Sequence, residues 1–143
     1  MATRVLVIDD EFALRLLCRV NLEAEGMEVL EAADGPSGLE QAWSGAPDVI
    51  LLDVMMPGLD GLQVAEKLFD DPRTESIPLV FLSARAELKE RGGGLGLDGV
   101  EYVTKPFDPV GLAPLIRALL ERVARDEPDG LRREKLADLR GTL

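Results

Sequence analysis

The chain has 143 residues, enough for one domain with a real core, since apolar residues make up 46% of it. Its 27 acidic and 16 basic residues give a net charge of −11, which argues against direct nucleic-acid binding, and the lack of histidine excludes Ser-His hydrolases and His-ligated zinc. No apolar run approaches the ~20 residues of a membrane helix, and no signal peptide is predicted. A single cysteine, Cys18, excludes an intramolecular disulfide, so we expect a cytoplasmic protein. Cys18 itself is predicted to be a buried packing residue.

Short apolar runs alternate with helical patterns along the chain. We predict five strands, over residues 4–8, 27–32, 49–52, 79–82 and 100–103. Helices are predicted over 12–22 (with an end at Gly26), 37–43 and 62–69, followed by a weak fourth helix before the last strand and a strong fifth helix over 112–123. This alternation with short links predicts a parallel sheet, helices on both faces and right-handed crossovers.

The domain is predicted to end before a break at Pro128-Asp129-Gly130. We assign residues 1–124 to the domain and residues 125–143 to a charged C-terminal tail. Leucines at helical spacing in this tail are typical of a marginal helix, but the segment also fits a linker.

Asp53 is the most informative residue, because it ends the apolar run Val49-Ile50-Leu51-Leu52. Such a run reads as a strand buried on both faces. Its carboxylate therefore lies at the carboxyl edge of the sheet, where α/β folds place their chemistry. Pro57 and Gly58 then turn the chain away and leave the side chain accessible. An acid here is a nucleophile, a metal ligand or both.

Asp9 and Asp10 end the first predicted strand. If strands one and three are neighbours, these carboxylates meet Asp53 at the same edge. Like charges at short range repel one another, and a hard divalent cation relieves that repulsion. Mg²⁺ suits carboxylate, carbonyl and water ligands. The alternative is a solvated acidic loop, which the presence of Asp53 disfavours.

Three further side chains lie in or just after the later strands. Lys105 can reach an anion bound beside Asp53, and Pro106 after it is expected to form a cis peptide that aims the lysine inward. Ser83 places a small hydroxyl at this edge, although such a serine is often a helix cap. Tyr102 alone would be a partly buried strand aromatic.

Taken together in this order, these signals resemble the bacterial two-component response-regulator receiver family over residues 3–124. The resemblance implies a doubly wound, flavodoxin-like sheet of five parallel strands in the order 2-1-3-4-5, flanked by five helices. The segments that carry it are Val5-Leu6-Val7-Ile8-Asp9-Asp10, Leu52-Asp53-Val54-Met55-Met56-Pro57-Gly58 with Asp60-Gly61, Leu82-Ser83-Ala84, and Tyr102-Val103-Thr104-Lys105-Pro106-Phe107.

The resemblance also implies a role for each acidic residue. Asp53 would accept a phosphoryl group. Asp10, Asp53 and the backbone carbonyl of Met55 would bind Mg²⁺, and Asp9 would act through a water molecule. Lys105 would form an ion pair with the phosphoryl group.

The same resemblance implies a switch. Ser83 would donate to a phosphoryl oxygen, and Tyr102 would turn inward as Ser83 moves. The chain would be a signalling switch rather than an enzyme, catalysing only its own phosphoryl transfer and dephosphorylation. A carboxylate that attacks phosphorus needs its charge neutralised, and a cation with Lys105 supplies this.

The partners implied are a histidine kinase or phosphotransfer protein as donor, and an unknown output partner or a missing effector domain. Residues 125–143 hold no basic helix-turn-helix. A homodimer would use the face formed by the fourth helix, the fifth strand and the fifth helix.

One segment fits the family pattern less well. Gly92-Gly93-Gly94, with Gly96 and Gly99, falls on the predicted fourth helix, and each glycine weakens a helix by ~1 kcal/mol. We expect elevated mobility over residues 86–99. A long loop is the other interpretation.

Two alternative functions remain open from the sequence. A hydrolase of the haloacid dehalogenase group also uses an aspartate that ends a strand, but it needs a second aspartate where this chain has Met55. A non-phosphorylated pseudo-receiver interaction module is supported only by the glycine-rich segment.

Overall fold

Five parallel strands form one sheet in the computed structural model, which describes residues 2–84 and 99–125. The strand order is β2-β1-β3-β4-β5, as the family resemblance implied. The strands are β1 (Arg4–Ile8), β2 (Glu28–Ala32), β3 (Val49–Asp53), β4 (Leu79–Ser83) and β5 (Val100–Thr104).

Helices cover both faces of the sheet. The described residues form α1 (Phe12–Ala24), α2 (Gly35–Gly45), α3 (Gly61–Phe69), a short 3-10 turn (Pro109–Gly111) and α4 (Leu112–Arg125), which is the helix predicted last from the sequence. Three predictions lie outside the described residues. They are the weak fourth helix before β5, the mobility predicted over residues 86–99 (of which only Gly99 is described) and the C-terminal tail (of which only residue 125, the last of α4, is described). In the part of the chain that the structure describes, no helix is long and apolar enough to cross a bilayer.

Alternating side chains of the strands build two core layers. Leu6, Ile8, Ile50 and Leu52 point toward α2 and α3, whereas Val5, Val7 and Leu51 point toward α1 and α4. All five residues of β3 are buried, because both faces of this central strand are covered. Burial of a continuous apolar run on both faces is what fixes the carboxyl edge of β3 in place.

Cys18 lies in the second of these layers, on α1, as predicted. Burial and, second to it, the negative charge of Asp9 raise the pKa of its thiol to about 11. The thiol is therefore a neutral packing group at physiological pH.

Several element bounds differ from the predicted ones. β3, β4 and β5 each continue one residue further, so Asp53, Ser83 and Thr104 are strand residues. α2 begins at Gly35, two residues earlier than predicted, because the Asp34 carboxylate caps the helix by accepting from the amide of Ser37 at 2.8 Å.

Candidate functional site

Three carboxylates converge at the carboxyl edge of the sheet. β1 pairs with β3 so that Ile8 lies opposite Leu52, and the chain therefore delivers Asp9, Asp10 and Asp53 to one place. One oxygen of each carboxylate lies within 4.8 Å of the others. Asp9 and Asp53 are buried and Asp10 is exposed, so the cluster opens to solvent on one side.

Lys105 is the cation of this cluster. Its Nζ donates to Oδ2 of Asp9 at 3.0 Å and to Oδ1 of Asp53 at 3.2 Å. The Lys105–Pro106 peptide is cis, as expected, and the amide of Lys105 donates to the carbonyl of Ser83 at 2.7 Å. Burial lowers the pKa of Lys105, but the two carboxylates together raise it above its ordinary value. The lysine is thus firmly charged.

The carboxyl group of Asp53 is a much weaker acid than an exposed aspartate. Burial and, second to it, the charge of Asp9 raise its pKa to about 6, although Lys105 and the Met55 amide, which donates to Oδ1 at 3.3 Å, oppose this rise. Three carboxylates meet one lysine in this cluster, so negative charge is in excess there. Such an excess of negative charge is the electrostatic condition for binding a hard divalent cation.

The start of α3 presses against the backbone of Asp53. Gly61 leaves no room for a side chain, because a Cβ there would lie 2.3 Å from the Asp53 carbonyl oxygen and 2.8 Å from Cα of Val54. A reciprocal capping box of Asp60 and Gln63 fixes this helix end. The Asp-Gly pair thereby sets the path of the loop that follows Asp53.

Ser83 and Tyr102 lie beside this edge. Ser83 ends β4, pairs in register with Thr104 and is buried. Tyr102 is a buried strand aromatic whose ring stacks on Phe81, with centroids 5.6 Å apart and planes 26° apart. Its hydroxyl oxygen is also buried, so the side chain points inward.

Comparison with known proteins shows which family the chain belongs to. The Response regulator receiver domain family matches residues 5–117. The chain belongs to this family. Response regulator PleD of Caulobacter vibrioides is 45% identical over 119 residues, and the match spans 83% of this chain and 26% of PleD.

Two further proteins support the assignment at different levels. The phosphate regulon transcriptional regulatory protein PhoB of Escherichia coli is 40% identical over 124 residues, spanning 87% of this chain and 54% of PhoB. The structure of the chemotaxis protein CheY4 of Vibrio cholerae superposes with a TM-score of 0.75 at 26% identity, covering 83% of this chain and 99% of that one. The chain thus spans about a quarter of the length of PleD and about half of the length of PhoB.

The assignment bears on the two alternatives that the sequence left open. The chain is a response regulator receiver domain of the two-component type rather than a hydrolase of the haloacid dehalogenase group. The pseudo-receiver alternative is not favoured, because the acidic cluster and its lysine come together at one site.

An exposed apolar stripe on α1 lies next to the acidic cluster of the receiver. Phe12, Leu16 and Val20 recur every four residues, so they share one face of the helix, and they are 67%, 45% and 58% exposed. α1 begins two residues after Asp10. Apolar side chains left in water beside a functional site are typical of a protein-binding surface.

Sequence reasoning missed the residues that hold the Asp9–Asp10 turn. The amide of Glu11 donates to Oδ1 of Asp9 at 2.9 Å. Nη1 of Arg15 donates to the backbone carbonyl of Asp9 at 2.8 Å, and its Nε donates to Glu31 at 3.2 Å. No spacing rule would have found this pair, because Glu31 reaches Arg15 only through the pairing of β2 with β1.

Proposed function

We propose that this receiver accepts a phosphoryl group on Asp53 from a histidine kinase or phosphotransfer protein in a Mg²⁺-dependent reaction, and that the acyl phosphate switches a partner-binding face. The observation that carries the proposal is the meeting of Asp9, Asp10 and Asp53 with Lys105 at one solvent-open edge. A nucleophilic carboxylate, a metal-binding pair and a fixed cation are the parts that phosphoryl transfer to an acid requires.

The residues present fit Mg²⁺. Asp10, Asp53 and the backbone carbonyl of Met55 would hold the ion, with Asp9 acting through water. When bound, the ion supplies positive charge to the carboxylate and to the incoming phosphoryl oxygens. The fit rests on three carboxylate oxygens within 4.8 Å, which a single lysine only partly neutralises.

In the proposed step an oxygen of Asp53 forms a bond to phosphorus. The bond from phosphorus to the donor nitrogen breaks, and that nitrogen keeps the electron pair. Because the other nitrogen of the donor ring carries a proton during the transfer, the ring leaves as a neutral imidazole. Lys105 already donates to Asp53, so its ammonium is placed to pair with the phosphoryl oxygens as they arrive. The product is a mixed anhydride, whose lability makes the signal temporary. The receiver would catalyse its own phosphorylation and dephosphorylation and nothing further.

The switch is proposed to run through Ser83 and Tyr102. Ser83 lies in the strand next to Asp53, where its hydroxyl would donate to a phosphoryl oxygen. Tyr102 is already inward in the structure, which on this proposal is the conformation that phosphorylation stabilises. Phosphorylation would then shift a two-state equilibrium rather than create a new fold.

The donor is proposed to dock on the α1 stripe of Phe12, Leu16 and Val20. A donor must bring its phosphorylated nitrogen to Asp53, and the exposed apolar face of α1 begins two residues after Asp10. Contact with this stripe would orient the donor in line with the carboxylate.

The remaining expectations also stand as proposals. Residues 1–124 would form the switching unit, with 125–143 as a marginal helix or a linker to an output partner or effector domain. One result of phosphorylation would be a homodimer, formed through β5, α4 (the fifth predicted helix) and the fourth predicted helix that precedes β5. A cytoplasmic location is supported by the unpaired thiol of Cys18.

Phosphorylation of the intact chain by acetyl phosphate tests the proposal. We expect intact-mass spectrometry to detect one added phosphoryl group when Mg²⁺ is present and none when EDTA is added. Asp53→Asn should abolish the added mass, whereas the control Asp71→Asn, at a surface ion pair with Arg73 beyond α3, should keep it. Phosphorylation of Asp53→Asn at the level of the unchanged chain would overturn the proposal.

A further inference from the structure

The guanidinium of Arg15 is held from three sides. Its Nη1 donates to the carbonyl oxygen of Asp9 at 2.8 Å and its Nε to Oε1 of Glu31 at 3.2 Å. The Phe12 ring covers it, with the guanidinium carbon 5.7 Å from the ring centroid. The side chain is only 14% exposed, so Arg15 is a fixed group although it belongs to a surface helix.

The carbonyl that Arg15 holds belongs to the peptide joining Asp9 to Asp10. A peptide is planar, so fixing the oxygen of Asp9 also fixes the plane on which Asp10 is mounted. The Asp9 amide is held separately, by the carbonyl of Ala32 at 3.1 Å. The two hydrogen bonds hold the peptide groups on both sides of Asp9, and so hold the backbone from which both carboxylates project.

Charge reinforces this geometry. Asp9 is fully buried, and its neighbours in the cluster repel it. The guanidinium places a second cation beside the acidic turn, on the β2 side, while Lys105 approaches from the side of β5. A hydrogen bond from a charged donor in a poorly solvated position is stronger than a neutral one. The turn is therefore held at its backbone by Arg15 and at the side chain of Asp9 by Lys105.

We infer that Arg15 is a positioning residue for phosphoryl transfer, which acts through the Asp9–Asp10 peptide by holding the carboxylates in the arrangement that binds the divalent cation. The inference rests on the proposed function and adds to it a residue that touches neither the phosphoryl group nor the metal. Partners that orient metal ligands typically contribute tenfold to a hundredfold to metal affinity.

Arg19 provides a matched control on the same helix. Its Nε donates to the other oxygen of Glu31 at 2.7 Å, and its Nη2 donates to the carbonyl of Val29 at 3.2 Å. Both arginines thus pair with Glu31, but the hydrogen bonds of Arg19 go to β2 rather than to the acidic turn. Loss of one ion pair to Glu31 is common to Arg15→Met and Arg19→Met, and only the first releases the Asp9 carbonyl.

The test compares these variants in the full chain. Mg²⁺ binding is measured by titration calorimetry, and acetyl phosphate supplies the phosphoryl group at subsaturating Mg²⁺. We expect Arg15→Met to weaken Mg²⁺ about tenfold and to slow phosphorylation to a similar extent, and Arg19→Met to leave both unchanged. Arg15→Lys should recover part of the loss, because one ammonium reaches the Asp9 carbonyl but cannot also bridge Glu31 as the guanidinium fork does.

A metal-free readout separates positioning from general stability. The amide of Glu11 donates to Asp9, so its NMR chemical shift in EDTA reports the geometry of the turn. We expect this amide to shift in Arg15→Met and to stay in place in Arg19→Met. If Arg15→Met does not fold, Arg15→Lys and Arg19→Lys make the same comparison.

Two results would overturn the inference, and they are distinguishable. Equal Mg²⁺ affinity and an equal Glu11 amide shift in the Arg15 and Arg19 variants, with normal phosphorylation of the unchanged chain, would remove the role of Arg15 alone. An unchanged chain that neither binds Mg²⁺ nor accepts a phosphoryl group would overturn the proposed function together with the inference.

Discussion

Lys105 and Asp9 are 96 positions apart in the sequence, yet Nζ of the lysine donates to Oδ2 of the aspartate at 3.0 Å. The lysine follows β5 and the aspartate follows β1, so the side chain spans the ends of β4 and β3 that lie between them. Asp53, at the end of β3, is its second acceptor. One ammonium therefore links the loops that follow β1 and β5 to the end of β3.

Removal of this cation is expected to destabilise the metal-free protein. Lys105→Met leaves two buried carboxylates without their partner, and breaking a buried pair from one side costs about 3 kcal/mol. Urea unfolding in EDTA at pH 7.5 measures the loss. The control is Lys67→Met, on the exposed side of α3, which should change the free energy of unfolding by less than ~0.5 kcal/mol. Equal effects of the two substitutions would contradict the prediction.

Asp53→Asn is expected to have the opposite effect on stability. The pKa of Asp53 is about 6 in the folded chain against an ordinary 3.8, so the folded state binds more protons between these values and stability falls as the pH rises through them. Above pH 6 the ionised carboxylate therefore destabilises the metal-free folded chain. Since each tenfold weakening of an acid corresponds to about 1.4 kcal/mol, we expect the metal-free asparagine variant to be about 1 to 3 kcal/mol more stable at pH 7.5.

The pH dependence of the stability gained by Asp53→Asn serves as the control for this prediction. At pH 5 Asp53 is largely protonated in the folded chain, so the gain should fall to about half its value at pH 7.5. Urea unfolding of both proteins at the two pH values gives the comparison. A gain that does not change with pH would show that burial of the ionised carboxylate is not its source.

Gly61→Ala is expected to disturb the site from behind. The new Cβ would lie 2.3 Å from the carbonyl oxygen of Asp53, so the start of α3 or the backbone of Asp53 and Val54 would have to move to make room for it. We expect a loss of about 1 to 3 kcal/mol in the free energy of unfolding and slower phosphorylation by acetyl phosphate. The matched control is Gly111→Ala, where a Cβ meets nothing within 4 Å. Normal phosphorylation of Gly61→Ala would argue against this coupling.

The apolar stripe on α1 is expected to matter for a protein donor only. Leu16→Ser with Val20→Ser removes exposed apolar side chains, so folding and phosphorylation by acetyl phosphate should be nearly unchanged. Transfer from a phosphorylated histidine donor should slow at least tenfold, because two central apolar contacts cost about 1 kcal/mol or more each. Trp43→Ser, an exposed aromatic on α2, is the control. Equal transfer rates in both variants would place the donor elsewhere.

The sequence was sufficient to predict the strands and the acidic edge for a physical reason. Continuous apolar runs identify buried parallel strands, and parallel strands bring their carboxyl ends to one edge, so Asp53 could be placed near Asp9 and Asp10 before any geometry was known. The family resemblance supplied the strand order, which fixes Asp9 and Asp53 as neighbours.

Other features depend on side-chain geometry that spacing does not encode. Arg15 reads as one of several charges on a surface helix, and only the register of β2 against β1 brings Glu31 to it. The early start of α2 had a local signal in the capping carboxylate of Asp34, followed by Pro36 in the first turn, which the sequence interpretation passed over. Gly61 is likewise explained only by the approach of α3 to Asp53.

The bridge made by Lys105 ties the chemistry of the site to completion of the fold. Among the described strands β5 pairs with β4 alone, at the edge of the sheet, so the position of Lys105 beside the carboxylates depends on that pairing. A chain in which β5 has not paired with β4 would still carry Asp9 and Asp53 but would lack the ammonium that contacts both of them. On the proposed function, only a chain with its whole sheet assembled would be competent for phosphoryl transfer.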